Sequence, residues 1–173
     1  MRISLLPNLC LLIAALCLPI LAFGQNAKTP AEAPPTILFV CEHGAAKSVI
    51  AAAHFDKLAK ARGLKYRAVF RGTNPDPALA ASAVKGLTED GIDTRGWKPE
   101  VVTKKDLEAA SAVVTLGCAL PDKEAVASKT MEWNETPPVG QNYQAARDYI
   151  VKKVEGLIDE LAKKEQATKR KKK

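Results

Sequence analysis

The sequence is poor in the residue types that build metal sites and nucleic-acid interfaces. Its 173 residues include two histidines and four cysteines, and aromatic residues make up 5%. No cluster of histidine, cysteine or carboxylate side chains has the spacing of metal ligands. No basic stretch is interleaved with aromatic residues, which is the usual pattern of a nucleic-acid interface. We therefore expect no metal, no other cofactor and no nucleic-acid partner.

Positive charge is concentrated at the two ends of the chain. The net charge is +7, but five of these charges belong to the final run, Lys169–Lys173, and another to Arg2. The residues between these ends are nearly neutral in sum. A basic terminus could contact anionic lipid or nucleic acid, but a disordered, solvated tail is the simpler interpretation. We assign residues 165–173 to this basic tail.

The first 24 residues have the pattern of a signal peptide. Arg2 precedes a long apolar core, and Ala22 to Gly24 form the small-x-small arrangement read by signal peptidase. We predict cleavage after Gly24 and export to the periplasm or the cell exterior. The alternative is an uncleaved N-terminal anchor, because the apolar stretch approaches the length that spans a bilayer. Residues 25–35, rich in proline and alanine, are predicted to be a flexible linker.

Short apolar runs alternate with helical patterns through the rest of the chain. The apolar runs lie at 37–40, 66–70 and 112–117, and the helical patterns at 48–62, 77–90 and 104–110. This order predicts an α/β domain with a parallel sheet covered on both faces. A last helix is predicted over Tyr143–Lys164, with an apolar stripe that faces the core. We assign residues 36–164 to one domain, in which His54 is structural.

The first apolar run ends at a cysteine that is followed by a small-residue loop. Residues 36–48 read TILFVCEHGAAKS, so Cys41 is separated by five residues from Lys47, which begins an alanine-rich helical stretch. In such a turn, backbone N–H groups and the positive end of a helix point at one spot and can bind an anion. A thiol beside them ionises readily and can attack the bound oxyanion. A lone cysteine at a strand end is more often a small buried hydrophobe, so the hypothesis depends on the whole string.

The string of Cys, five residues, Lys and Ser resembles the signature of the low-molecular-weight protein tyrosine phosphatase superfamily, which is Cys, five residues, Arg, then Ser or Thr. This superfamily includes the thioredoxin-type arsenate reductases, and the chain is most similar to that branch. The resemblance extends from about residue 37 to residue 161. It continues through the segments RGTNPDPALAASAVKGLTEDGIDTRGWKP, SAVVTLGC and EWNETPP. It implies a monomer with one three-layer domain, in which a four-stranded parallel sheet has helices on both faces.

The resemblance implies a role for each residue of the loop. Cys41 would be the nucleophile, and Ser48 would hydrogen-bond its sulfur or would be an ordinary first-turn serine. The oxyanion-binding loop would consist of Glu42, His43, Gly44, Ala45, Ala46 and Lys47. Gly44 is predicted to need a positive φ. His43 would shape the loop or its charge, or would simply be exposed, while the Glu42 carboxylate would point outward.

Three departures from the superfamily pattern bear on activity. Lys47 stands where the superfamily has Arg, and a point charge cannot reproduce a planar, bidentate grip on an oxyanion. Pro137 occupies the place of the general-acid Asp, so Glu135 on the same loop is the candidate acid, with a solvated glutamate as the alternative. No third cysteine follows shortly after Cys118, although arsenate reductases that relay a disulfide along three cysteines need one.

Three functions stay open, and a phosphatase-like hydrolase ranks first. It would cleave a phosphate monoester or a phosphoprotein, of the phosphotyrosine type, through a cysteinyl phosphate on Cys41. An arsenate reductase would use Cys41 with Cys118, or with an external thiol reductant, to process an arsenate-like oxyanion. A non-catalytic, exported oxyanion-binding domain is the third. In an oxidising compartment Cys41 and Cys118 could form a disulfide, which would silence the phosphatase but serve the reductase.

Overall fold

The computed structural model describes residues 33–171. The helices are α1 (Lys47–Ala61), α2 (Ala81–Glu89), α3 (Lys104–Ala109), α4 (Lys123–Val126) and α5 (Tyr143–Lys171), and the strands are β1 (Thr36–Cys41), β2 (Arg67–Gly72), β3 (Ala112–Thr115) and β4 (Thr130–Glu132). No helix within residues 33–171 is both long and apolar enough to cross a bilayer. The predicted signal peptide, its anchor alternative and most of the predicted linker lie outside the described residues.

The four strands form one parallel sheet in the order β2-β1-β3-β4. This confirms the predicted α/β fold with its four-stranded parallel sheet. Strand β1 lies between β2 and β3, and Cys41 at its end pairs with Gly72 at the end of β2. Because parallel strands bring their carboxyl ends to the same edge, the segments after β1, β2 and β3 meet there.

Side chains of β1 alternate between two separate cores. Ile37 and Phe39 belong to the core on the side of α1 and α5, whereas Leu38 and Val40 belong to the core on the side of α3. All four are at most 1% exposed. A strand buried on both faces reads as a continuous apolar run, which is the pattern of TILFVC. The sheet therefore has packed layers on both faces, as predicted.

Several element boundaries differ from the sequence predictions. Helix α2 begins at Ala81 rather than at 77, because Ala80 N–H donates 2.9 Å to the carbonyl of Ala45 instead of entering a helix. Strand β4, helix α4 and a 3-10 turn at Ala127–Lys129 were not located from the sequence. Strand β4 has three residues, too few to produce an alternating pattern.

The predicted disordered tail is wrong for Lys169–Lys171, which are the last turn of α5. The predicted end of the last helix at Lys164 is also wrong. The stretch after Lys164 consists mostly of Glu, Gln, Ala, Lys and Arg, which are strong helix formers. Glu165 and Lys169 form an i,i+4 ion pair of 3.7 Å on its surface. The helix thus continues beyond the last core-facing residue, Leu161.

A partly buried polar cluster joins α1, the end of α2 and α5. Asp90 accepts hydrogen bonds from Tyr143 Oη at 2.6 Å and from Arg147 at 2.8 Å, and its carboxylate lies 3.2 Å from His54 Nε2. Burial lowers the pKa of His54, and the neighbouring Asp90 offsets this only in part. Burial acts to raise the pKa of Asp90, but hydrogen bonds from Tyr143 and Arg147 outweigh it and leave that pKa below its ordinary value.

These shifts predict that the protein loses stability as the pH falls below 6.5. The unfolded chain protonates His54 near its ordinary pKa of 6.5, whereas the folded protein resists protonation until a lower pH. The stabilising contribution is therefore complete above 6.5 and is lost below it, by at most about 1.4 kcal/mol per pH unit for one proton. Asp90 adds a loss in the same direction below its ordinary 3.8. The free energy of unfolding in urea should decline less between pH 8 and pH 5 for His54→Gln than for the wild type. An equal decline in the two proteins would contradict this prediction.

Candidate active site

Cys41 ends β1 with its sulfur beside the first turn of α1. Cys41 is 5% exposed, and its Sγ lies 3.1 Å from the hydroxyl of Ser48, which is fully buried. Helix α1 has no acidic residue in its first turn and no side-chain cap at its N-terminus. Its positive end is therefore free to act on a group held next to the sulfur.

The segment after β2 hydrogen-bonds the carbonyl groups of Cys41 and of three residues in the 42–47 loop. The N–H donors and their acceptors are Thr73 to Cys41 (3.1 Å), Asn74 to Glu42 (2.8 Å), Asp76 to His43 (3.0 Å) and Ala80 to Ala45 (2.9 Å). Across the described part of the chain, the N–H groups of residues 42–46 have no protein acceptor. A loop with its carbonyls bound and its amides unbound is suited to an anion.

Two glycines bring the loop and the end of β2 into backbone contact. Gly44 has a φ of +60°, and a Cβ added there would lie 2.8 Å from the nitrogen of Gly72. A Cβ added at Gly72 would lie 2.8 Å from the nitrogen of Gly44. The predicted positive φ of Gly44 is confirmed. Sequence reasoning assigned no role to Gly72, although it lies in the quoted RGT segment.

A cavity of about 250 Å³ opens over the sulfur. It is lined by Cys41, Glu42, His43, Ala46, Lys47, Ala80, Ser82, Leu116, Gly117, Val139 and Gly140. The predicted loop residues Gly44 and Ala45 are buried and lie outside this lining set, as does Ser48 behind the sulfur. A larger groove of about 790 Å³ near α3 and α4 has lysines and carboxylates in its walls but no cysteine, serine or histidine.

Lys47 is the cation of this cavity. It is the first residue of α1 and is partly buried. A Cβ added at Gly117, which follows β3, would lie 3.7 Å from Lys47 Nζ. The ammonium group therefore extends to the β3 side of the cavity. The missing side chain of Gly117 leaves space beside it.

His43 lies at the mouth of the cavity between two carboxylates. Its Nδ1 is 3.2 Å from Asp76 Oδ1, and its Nε2 is 3.8 Å from Glu42 Oε2. All three side chains are about half exposed, at 54%, 47% and 64%. Glu42 is exposed but also lines the cavity, so the outward orientation of its carboxylate stays a prediction. The contact with Asp76 was not expected, because no spacing rule links residues 43 and 76.

Glu135 and Cys118 lie outside the lining set of the cavity. Glu135 is exposed on the loop after Trp133, whereas Val139 and Gly140 of that loop reach the cavity. Cys118 is partly buried, and its Sγ is 3.5 Å from the carbonyl of Val40. Burial, with a further contribution from Cys41, raises the pKa of the Cys118 thiol to about 11. Both cysteines are free thiols.

Comparison with known proteins identifies the family of the chain. The family described as low molecular weight phosphotyrosine protein phosphatase matches residues 36–132, more than half of the chain. A Halobacterium salinarum protein named "Putative arsenate reductase" is 28% identical over 128 residues, which cover 71% of this chain and 90% of that protein.

Two solved structures share the fold across the same region. The low molecular weight protein tyrosine phosphatase from T. tengcongensis is 25% identical, with a TM-score of 0.58, and the match covers 75% of this chain and 99% of that one. The arsenate reductase from Archaeoglobus fulgidus is 26% identical, also with a TM-score of 0.58, and covers 71% and 98%. The predicted superfamily is confirmed: the chain belongs to the low molecular weight phosphotyrosine protein phosphatase family.

Proposed function

We propose that the protein is a phosphatase-like hydrolase that cleaves phosphate monoesters, including those of phosphoproteins, through a cysteinyl phosphate on Cys41. One observation carries this proposal: the Cys41 sulfur lies under a small cavity, beside the Ser48 hydroxyl and the unbound amides of residues 42–46. Family membership supports phosphate or arsenate as the oxyanion. The names of the relatives do not separate the two.

The reaction would proceed in two displacements at phosphorus. In the first, the Cys41 thiolate attacks the phosphoryl group, so that an S–P bond forms and the ester P–O bond breaks. In the second, water attacks the phosphoryl group, the S–P bond breaks and inorganic phosphate leaves. The loop amides and Lys47 would hold the phosphoryl oxygens in both steps, and the Ser48 hydroxyl would stabilise the departing thiolate.

Arsenate reduction is a second candidate because of the relatives named for it. A reductase would need a thiol that attacks the Cys41 adduct. With its pKa near 11, Cys118 is almost wholly protonated at neutral pH, and a protonated thiol is a poor nucleophile. An external thiol would therefore have to resolve the adduct. This consideration ranks the reductase below the hydrolase.

The proposal includes that the protein is exported and acts as a monomer. The N-terminal pattern of residues 1–24 supports removal of a signal peptide and transfer out of the cytoplasm. In an oxidising compartment Cys41 would need protection from disulfide formation to act as a hydrolase. Its low exposure of 5% provides part of that protection.

The direct test offers the purified protein an aryl phosphate and, separately, arsenate with a thiol reductant. We expect inorganic phosphate to be released in the first reaction, and mass spectrometry after an acid quench to find a phosphoryl group on Cys41. Arsenite formation without phosphate release would replace the hydrolase by the reductase. Protection of Cys41 from alkylation by phosphate, with no turnover in either reaction, would leave an oxyanion-binding domain.

A further inference from the structure

The proposed hydrolase lacks a proton donor at the place where its family carries one. The expected aspartate position is Pro137, and the nearest carboxylate on that loop, Glu135, is exposed and is absent from the cavity lining. A leaving alkoxide or phenoxide needs a proton as the P–O bond breaks, and a positioned acid typically contributes about 10²- to 10⁴-fold to the rate. A residue other than Pro137 and Glu135 must then supply this proton if turnover is to be appreciable.

The titratable side chains that line the cavity are few. They are the Cys41 nucleophile, Glu42, His43 and Lys47. Lys47 begins α1 at the oxyanion loop, where its charge is needed for the phosphoryl oxygens, and ammonium groups are weak acids. Carboxyl groups that contact water are ionised at neutral pH and cannot donate. Imidazole is the side chain that gains and loses a proton near neutrality.

From these observations we infer that His43 is the general acid of the phosphatase reaction and that Asp76 positions it. This inference rests on the proposed function. Asp76 Oδ1 lies 3.2 Å from His43 Nδ1, an ion-pair distance, and Asp76 N–H donates to the His43 carbonyl at 3.0 Å. The same aspartate thus places its carboxylate beside the ring and hydrogen-bonds the backbone of His43. This two-point contact orients the imidazole, as a carboxylate does for the catalytic histidine of other hydrolases.

The second ring nitrogen of His43 is left available. Nε2 lies 3.8 Å from Glu42 Oε2, beyond the distance of a hydrogen bond. A proton on Nε2 can therefore be given to another oxygen that enters the cavity mouth. Asp76 and Glu42 each place a carboxylate within 4 Å of the ring, at 3.2 and 3.8 Å. An imidazolium at this position is also attracted to a phosphate dianion.

The proton balance closes over the two displacements. As Cys41 Sγ bonds to phosphorus, the leaving oxygen takes the proton from His43 Nε2, which releases a neutral alcohol or phenol and leaves a neutral imidazole. In the second displacement, water attacks phosphorus and gives its proton to the same Nε2. Breakage of the S–P bond then restores the thiolate and the protonated His43, so no external acid or base is consumed.

A series of aryl phosphates with increasingly poor leaving groups tests this role. For the protein without its predicted signal peptide, we compare kcat/KM for 4-nitrophenyl phosphate and for phenyl phosphate. A proton donor matters most for phenyl phosphate, which has the poorer leaving group. We expect His43→Gln to lower kcat/KM for phenyl phosphate by about 10²-fold or more. The loss with 4-nitrophenyl phosphate should stay below roughly tenfold, since that phenolate needs little protonation.

Asp76→Asn provides a second, independent variant. It should lower kcat/KM by a smaller factor, with the same stronger effect on phenyl phosphate, because a less well oriented imidazole is still present. Asp93→Asn is the matched control, since Asp93 is an exposed carboxylate whose side-chain partner is Arg95. This control should keep the wild-type dependence on the leaving group. If Asp76 had a purely structural role, Asp76→Asn would lower kcat/KM for both substrates by the same factor.

The outcomes separate failure of this inference from failure of the proposed function. Equal losses on both substrates in His43→Gln, or a selective loss on phenyl phosphate in Glu135→Gln instead, would overturn the inference while the hydrolase stands. If the wild-type protein releases phosphate from no aryl phosphate and forms no cysteinyl phosphate, both are overturned. A selective loss in His43→Gln and Asp76→Asn, absent in Asp93→Asn, would support both.

Discussion

Replacement of Cys41 by serine should abolish phosphate release, lowering kcat on the order of 10⁴-fold or more. Serine is close to cysteine in volume, so the buried site should keep its shape, and the new hydroxyl can still contact Ser48. What it loses is a sulfur nucleophile, which attacks as a thiolate and leaves more easily than an alkoxide in the second displacement. Steady-state hydrolysis of 4-nitrophenyl phosphate measures the loss, and a thermal unfolding curve verifies the fold.

Cys118→Ser is the matched control for this experiment. Cys118 lies outside the lining of the cavity, and its thiol is nearly all protonated at neutral pH. We expect the variant to hydrolyse the same substrate at the wild-type rate. If Cys118→Ser loses as much activity as Cys41→Ser, the two cysteines act in one cycle and the hydrolase proposal is wrong. Activity of Cys41→Ser within tenfold of wild type would exclude Cys41 as the nucleophile.

Lys47→Arg should raise phosphatase turnover by roughly 10- to 150-fold. A guanidinium can donate two parallel hydrogen bonds to a phosphoryl group, whereas an ammonium provides a compact point charge. One added charge-assisted hydrogen bond in the transition state, of about 1.5 to 3 kcal/mol, gives this range. The longer side chain has space, because Gly117 beside Lys47 Nζ carries no Cβ. Measurement of kcat with 4-nitrophenyl phosphate tests the gain.

Lys98→Arg makes the same chemical change at an exposed residue outside the cavity and should leave kcat unchanged. Lys47→Met removes the charge and should lower kcat, which shows that the position acts on the reaction at all. If Lys47→Arg gives no rise while Lys47→Met gives a loss, the cavity is shaped for an ammonium and the departure from the family pattern is an adaptation. In that case the site is not an impaired form of the family site.

Strands and helices could be predicted where the sequence has a long run or repeat of apolar residues. The apolar run TILFVC is buried on both faces of the sheet, and the sequence shows this directly because every residue in it is apolar or β-branched. The start of α2 was misplaced because Pro77 to Ala80 read as helix, whereas Ala80 N–H is used by the loop. Local propensity cannot report a hydrogen bond to a residue 35 positions away.

The residues of the candidate site that follow one another in the sequence could be predicted, whereas those that the fold brings to the site from elsewhere could not. Cys41, Lys47 and Ser48 follow a fixed spacing, so the nucleophile and its loop could be named. Ser82 and Val139 line the same cavity because of the sheet order and the segments after β2 and β4. Asp76 contacts His43 for the same reason. Glu135 was chosen as the acid for its position in the loop. The structure has it exposed, and its catalytic role stays a prediction.

The glycine contact between the loop and β2 also limits how the sequence can change. When a large side chain presses on a neighbour, a smaller neighbour often restores the fit, but Gly44 and Gly72 are already the smallest residues available. Neither position can compensate for a substitution at the other. The backbone contact therefore places no limit on substitution of Lys47 or of the proton donor, whereas both glycine positions must remain glycine. The side chains that carry the chemistry can change, but the backbone contact between Gly44 and Gly72 cannot.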